Sequence, residues 1–262
     1  MEIVVCMKRV PETGDAEIAV DSTGRDIVRD RLTYDINESD NYALEEAVLL
    51  KEKFGGTVTL VSMGPPETDE TLRMGLAKGG DVAVRLWDHR FARSDGHATA
   101  FVLAKAIREM EFDLVLTGCI ATDDGRTQVG VTIAALLGIP HATYVMKVDI
   151  EDGIATVQSE LEGGLIAVNR MKTPALFTIQ TGINEPRYPS LISIKKATAK
   201  EIRTLTLDDL GLEASSAGEE GSKTKIVKLT PPPVGKRAEI LEGAPEVVSA
   251  RLTEIFKEKG MI

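Results

Sequence analysis

The run from Thr117 to Gly130, TGCIATDDGRTQVG, gathers the side chains of this sequence with the best reason to meet an anion. A strand ending at Thr117, a polar loop with Gly118 and Gly125, and a helix opening near Gln128 would turn the unpaired amides of a first helical turn toward a bound phosphate. Arg126 would add charge, and Thr127 and Gln128 side-chain donors. The pattern predicts a phosphate cradle. A plainer reading fits the same residues: Asp123 and Asp124 cap the helix and Gly125 makes the turn. Local pattern does not separate the two. Neither GxxxxGKS/T nor GxGxxG after the first strand occurs, which argues against an ordinary ATPase or dehydrogenase.

A second segment is Asn184-Glu185-Pro186-Arg187-Tyr188-Pro189-Ser190-Leu191. Its two prolines stiffen a loop that could present Leu191 to a partner, but the pattern alone favours Leu191 and Ile194 as the start of a core-facing helix. A third is Cys6-Met7-Lys8-Arg9-Val10-Pro11, a strand end whose basic pair either meets phosphate or is simply solvated. His89, His97 and His141 have no nucleophile or acid at meaningful spacing, and Trp87 and Tyr144 read as packing residues. The two cysteines, Cys6 and Cys119, stand far apart without a CxxC partner. They read as buried and reduced in the cytoplasm, with no metal cluster.

The elements that must position these residues alternate. Ile3 to Met7 and Thr57 to Met63 read as buried strands, with a helix between them that Ser39 caps and Gly55-Gly56 stops. Glu67 to Lys78 reads as a helix, Val82 to Leu86 as a strand, His97 to Met110 as a helix, Asp113 to Thr117 as a strand and Gln128 to Leu137 as a helix ended by Gly138. This order predicts a mostly parallel α/β sheet covered on both faces, with ligands at the carboxyl ends of its strands. After Pro140 the runs Tyr144 to Ile150, Ile154 to Glu160 and Leu165 to Met171 are separated by hairpin signals, and the apolar strand Ala175 to Ile179 follows. An antiparallel extension on a parallel core is expected. Beyond about Lys200 the chain reads as an irregular arm, with Ser215 to Thr224 flexible in composition and a final amphipathic helix at about Ala244 to Lys259 that needs a surface to dock on.

With 262 residues, 43% of them hydrophobic, the chain can build a sizeable core. A formal net charge of -10 makes nucleic acid or anionic lipid a poor partner. The first ten residues lack the apolar run of a signal peptide, and nothing approaches the ~20 apolar residues of a membrane span.

Together the segments resemble the beta subunit of electron-transfer flavoproteins. The likeness is carried by Val5-Cys6-Met7-Lys8-Arg9-Val10, Glu45 to Glu52, Asp123 to Gly130, Glu160-Leu161-Glu162-Gly163-Gly164 and Asn184 to Leu191. It spans residues 1 to about 200, and the Pro-rich arm and last helix also fit. The resemblance implies a Rossmann-like adenine-nucleotide-binding domain over 1–200 and an arm over 201–262 that docks on a larger alpha subunit carrying the redox-active FAD. The subunit would be an electron carrier, not an enzyme in its own right. Nucleotide contacts are implied for Cys6, Asn37, Glu38, Ser39, Asp40, Met63, Gly118, Cys119, Ile120, Ala121, Thr122, Asp123, Asp124, Gly125, Arg126, Thr127, Gln128 and Val129. Tyr188, Pro189, Leu191 and Ile194 match the loop that docks acyl-CoA dehydrogenases, and a quinone-linked oxidoreductase is implied downstream.

The nucleotide is AMP in simple members and a second FAD in electron-bifurcating ones, which oxidise NADH there. Here the loop lacks both the third acidic residue with Cys-Asn of many simple members and the Asp-Gly-Asp-Thr-Ala lead of bifurcating ones. The Gln128-Val129-Gly130 ending is similar to that of bifurcating members and keeps a second FAD open, while Glu-Leu-Glu-Gly-Gly and Tyr-Pro-Ser-Leu resemble the simple group and favour AMP. Thr13 stands where some members carry an aromatic residue, and Lys195 to Lys200 is a thinner basic run than usual. A stand-alone adenylate sensor is the alternative from a different class.

Overall fold

A computed structural model describes every residue except Asp15, Arg31, Val234, Lys236 and Arg237. In chain order its elements are β1 (Glu2–Cys6), β2 (Arg9–Pro11), β3 (Tyr34–Ile36), α1 (Glu38–Phe54), β4 (Thr57–Met63), α2 (Thr68–Lys78), β5 (Val82–Leu86), α3 (Gly96–Arg108), β6 (Leu114–Gly118), α4 (Val129–Leu137), β7 (His141–Glu151), β8 (Ile154–Glu160), β9 (Ile166–Lys172), β10 (Ala175–Ile179), α5 (Leu191–Thr198), β11 (Ile202–Leu205), α6 (Gly218–Gly221) and α7 (Pro245–Glu258). One nine-stranded sheet runs β11-β5-β4-β1-β6-β10-β7-β8-β9. It is parallel from β11 to β7, and β8 and β9 add an antiparallel extension. β2 and β3 form a separate antiparallel pair.

Alternation along the strands builds two cores. Ile3, Val5, Val58, Leu60, Leu114, Leu116 and Phe177 point to one face, where Ala43, Leu44, Ala47 and Val48 of α1 and Leu72 and Leu76 of α2 cover them. Val4, Val61, Val115 and Leu176 point to the other, beneath Val102, Leu103 and Ile107 of α3 and Ile133 of α4. Both faces being covered explains why the central strands read as continuous apolar runs rather than as alternating ones.

Three details depart from the sequence reading. Asn37, not Ser39, holds the N-cap position of α1, and Ser39 is buried inside the first turn. The chain after Lys200 does not turn irregular at once: β11 pairs with β5 at the sheet edge, and Leu207, Leu210 and Ala217 enter the second core. Four residues, Ile202 to Leu205, are too short a run to declare a strand, and pairing with β5 supplies the order. Within Ser215 to Thr224, α6 is followed by Ser222, whose Oγ accepts the Asp95 N–H, and by Lys223 and Thr224, whose N–H groups donate to the Asp95 carboxylate. The last helix, α7, buries none of its residues.

Candidate functional site

The connection from β1 leads through α1 to β4 on one side of it, then on to β5, whereas β6 lies on its other side. This reversal opens a crevice beyond the carboxyl ends of the strands, the place where open α/β sheets take ligands. A cavity of about 380 Å³ lies there, within the range of roughly 300–1,000 Å³ common for small-ligand sites. Its walls come from Cys6 to Arg9 after β1, Met63 and Gly64 after β4, Trp87 and Arg93 to Gly96 between β5 and α3, and the loop between β6 and α4. The N-termini of α3 and α4 both open onto it, and such ends favour negative charge.

The first turn of α1 shapes the β6–α4 loop. Asn37 donates its Nδ2–H to the Ile120 carbonyl at 2.8 Å and accepts the Thr122 N–H at 3.0 Å. Asp40, buried, accepts the N–H of Lys8 at 2.7 Å and of Gly118 at 2.9 Å, joining the exits of β1 and β6. Burial pushes the Asp40 carboxyl up to about 6, against the pull of these donors and of the Lys8 charge. Gly118 is needed because a Cβ there would stand 2.3 Å from Asp40 Oδ1 and 2.9 Å from the Asp40 backbone nitrogen. Gly130 lets α4 approach Thr117 and Thr178, whose side chains a Cβ would meet at 2.6 and 2.7 Å.

Charge around the cavity is dense and unevenly satisfied. Lys8 Nζ bridges to Asp123 at 2.6 Å and Asp124 at 2.9 Å, and Arg126 Nε lies 3.4 Å from Asp124. Two guanidinium nitrogens of lining residues, Arg126 Nη1 and Arg9 Nε, are buried without a hydrogen-bond partner. A buried donor left unmade costs about 1–3 kcal/mol, so both await an acceptor. Arg9 is itself stacked on Tyr34, 3.6 Å from the ring centre. Asp95 caps α3 by accepting the Ala98 N–H with one oxygen, and with the other accepts the N–H of Lys223 and Thr224 and the Thr224 hydroxyl. Burial acts to raise the Asp95 carboxyl, but these donors outweigh it and hold it down to about 2. Burial, then the charge of Asp40, pushes the Cys6 thiol up to about 12, which makes it inert as a nucleophile.

Of the residues singled out from sequence, Cys6, Asn37, Asp40, Met63, Gly118, Ile120, Ala121, Asp123, Asp124, Arg126, Thr127 and Val129 line this one cavity. Glu38, Ser39, Cys119, Thr122, Gly125 and Gln128 are not among its lining residues; Ser39 and Cys119 are buried and the other four exposed. Ser39 Oγ lies 3.7 Å from Cys119 Sγ, in the support of the loop, and Gly125 makes its turn at φ 65°. Sequence reasoning missed the wall from Trp87 to Leu103 and the hairpin residue Arg29. Trp87, read as a packing residue, is one of the lining side chains, and Tyr144 is partly exposed. The usable signal was the strand alternation: β5 lies on the same sheet, so its carboxyl end faces the same crevice.

The Asn184 segment is built on the same helix farther along. Glu45 accepts the Arg187 N–H at 3.0 Å and its Nε and Nη2 at 2.9 and 2.8 Å, while Glu52 accepts Nη1 at 2.7 Å. Asn184 donates to Glu46 and to the Tyr42 carbonyl, both at 3.1 Å. Ser190 caps α5 by accepting the Ser193 N–H, and Arg73 donates to the carbonyls of Ala197, Thr198 and Lys200 at the far end. So held, Leu191 is 86% exposed and Tyr188 96%. Pro189 is half-buried and Ile194 partly exposed. The core-facing alternative for Leu191 is thereby overturned.

Comparison with known proteins gives this architecture relatives. The family model for the electron transfer flavoprotein domain matches residues 25–210. The chain is 40% identical over the whole of both chains to an electron transfer flavoprotein subunit beta of Thermoanaerobacterium thermosaccharolyticum. It is 37% identical, again end to end, to the subunit of that name from Clostridium acetobutylicum. The caffeyl-CoA reductase-Etf complex subunit CarD of Acetobacterium woodii is 35% identical over both full lengths. A sheet with its crevice at the β1 switch point, matched along its length by such relatives, places the chain in the electron transfer flavoprotein family, among the beta subunits.

Proposed function

We propose that this chain holds an adenine nucleotide, AMP, in the cavity at the switch point, and docks both an FAD-bearing alpha subunit and an electron-donating dehydrogenase. The observation that carries the nucleotide reading is the pair of unpartnered guanidinium nitrogens on Arg126 and Arg9 in a cavity onto which two helix N-termini open. A phosphate supplies the acceptor oxygens these groups lack, and Arg126 would hold it together with the first turn of α4. Trp87, Phe91, Leu103 and Met63 offer apolar surface to a base.

Flavin, when bound in the heterodimer, supplies the redox chemistry. The residues of this chain bind, orient and present; none is asked to move a proton. The exposed Leu191, beside a loop fixed through Arg187 to α1, has the character of an interface anchor, and the A. woodii relative is by its name a subunit of a caffeyl-CoA reductase-Etf complex. The apolar residues of the arm, Val227, Ile240 and Val247, are exposed, which supports a clasp on the alpha subunit and speaks against a stand-alone sensor. Both cysteines are free and buried, in keeping with work in the cytoplasm.

The deciding experiment is nucleotide extraction from the heterodimer purified with its alpha subunit. One FAD and one AMP per pair is the expected result. Two FAD would replace the AMP reading with the bifurcating one, and a pair devoid of any adenine nucleotide beyond one FAD would overturn the cavity's assignment.

A further inference from the structure

The turn that leads into α5 is poor in donors of its own, because Pro186 and Pro189 carry no N–H. Arg187 lies between them, and its two backbone groups go to different helices. Its N–H donates to Glu45 of α1 at 3.0 Å, and its carbonyl accepts an N–H from Nζ of Lys78, the last residue of α2, at 2.9 Å. The same ammonium stands 6.0 Å from the centre of the Tyr188 ring, at the limit of a cation–π contact. Burial pushes Lys78 below its usual range, against the charges of Asp35 and Glu45. Earlier on α2, Arg73 donates to the carbonyls of Ala197, Thr198 and Lys200. Helix α2 thus braces the segment at both ends.

We propose that Lys78 is a positioning residue for the encounter with the dehydrogenase, holding the Arg187 carbonyl and the Tyr188 ring from α2 so that Leu191 is presented in one orientation. The inference rests on the docking reading of Leu191 and deepens it by naming the residue that orders the anchor in advance. The bonds to Glu45 fix the Arg187 side chain and the peptide that precedes it. The next peptide, Arg187–Tyr188, is a separate plane that turns about its own dihedrals, and Lys78 is the group that grips it. Leu191, 86% exposed, has little contact of its own to settle its direction. An anchor on an unbraced turn would have to be ordered at every encounter, and that cost is taken from affinity.

The test is a double-mutant cycle on the heterodimer, read as electron acceptance from an acyl-CoA dehydrogenase that reduces the wild-type pair. Lys78→Met should raise the KM for the heterodimer about three- to tenfold, part of the lost hydrogen bond being passed on to docking, with kcat, flavin content and nucleotide content unchanged. Lys78→Arg, which keeps a cation and donors at the end of α2, should recover most of that rise. On the Leu191→Ala background, Lys78→Met should add less than about twofold, because the orientation it fixes no longer presents an anchor. A merely structural contact would lower stability in both backgrounds alike and leave the KM in place. Should Lys78→Met fail to fold, Lys78→Gln, uncharged and shorter, takes its place in the cycle. An unchanged KM for the Lys78 variant, or factors that multiply fully in the double variant, overturns the brace while the docking reading stands. If Leu191→Ala itself leaves the KM at the wild-type value, the docking reading falls and the brace with it.

Discussion

Around the cavity, polar groups are left inside the protein without partners: Arg126 Nη1 and Arg9 Nε are buried donors with nothing to donate to. On the segment from Asn184 to Thr198 the weight lies on the other side, with Leu191, Ile192 and Tyr188 left outside on a segment that Asn184 and Arg187 tie to α1, and a single buried acceptor, Asn184 Oδ1, without a partner. The surplus of the cavity is buried donors, and that of the segment is exposed apolar surface. What this teaches is that an unsatisfied inside calls for a small polar ligand, and an apolar outside for a macromolecular surface. Perturbing the two should therefore have separable consequences.

The largest effect is expected at Asp95, which belongs to the cavity wall and to the anchor of the arm at once. Asp95→Ala should destabilise the chain by roughly 2–4 kcal/mol at neutral pH, through a lost helix cap and lost charge-assisted bonds. The folded carboxyl value, about 2, lies below the ordinary 3.8. Its contribution is therefore full above pH 3.8 and fades as pH falls toward 2. Denaturant unfolding of the two proteins should show the gap closing over that window; a gap independent of pH would mean that the carboxylate is not the anchor.

Next comes Arg126→Met, which sharpens the contrast because its one ion-pair partner among the described residues, Asp124, stands 3.4 Å away. Affinity for AMP should drop about ten- to a hundredfold, as for a lost charge-assisted hydrogen bond, with little change in unfolding midpoint. Undiminished binding would remove Arg126 from the phosphate site. Smallest is Leu191→Ala. Stability should move by less than about 0.5 kcal/mol, and flavin and nucleotide contents not at all, while electron acceptance from the dehydrogenase falls about five- to thirtyfold. Equal transfer rates would end the docking role. Should Leu191→Ala also empty the cavity, the separation of the two regions would itself be wrong.

Much of this was legible beforehand because the parallel core writes itself as apolar runs between capped helices. Val82 to Leu86, Ile154 to Glu160 and Ala175 to Ile179 agree with β5, β8 and β10 residue for residue. What escaped notice depends on contacts between distant segments. β2, β3 and β11 are three or four residues long, too short for periodicity to register, and exist because a neighbour supplies the ladder. Trp87, Arg93 and Asp95 carry no phosphate-binding signature in their own stretch; they reach the cavity because β5 lies near β1 in the sheet. Leu191 was misjudged from pattern for a related reason. Apolar spacing at the start of α5 says a helix is there, but which way it faces is decided by Arg73, Arg187 and Ser190.

Helix α1 carries a further consequence. Its first turn grips the loop at Ile120 and Thr122 through Asn37, and its third and fifth turns grip Asn184 and Arg187 through Glu45, Glu46 and Glu52. Adding or removing one residue between these grips would swing the glutamates by about 100° and shift them by about 1.5 Å relative to Asn37, parting one loop from its clamp. The interval from Asn37 to Glu52 thus behaves as a ruler that tolerates exchange of letters and forbids a change of length.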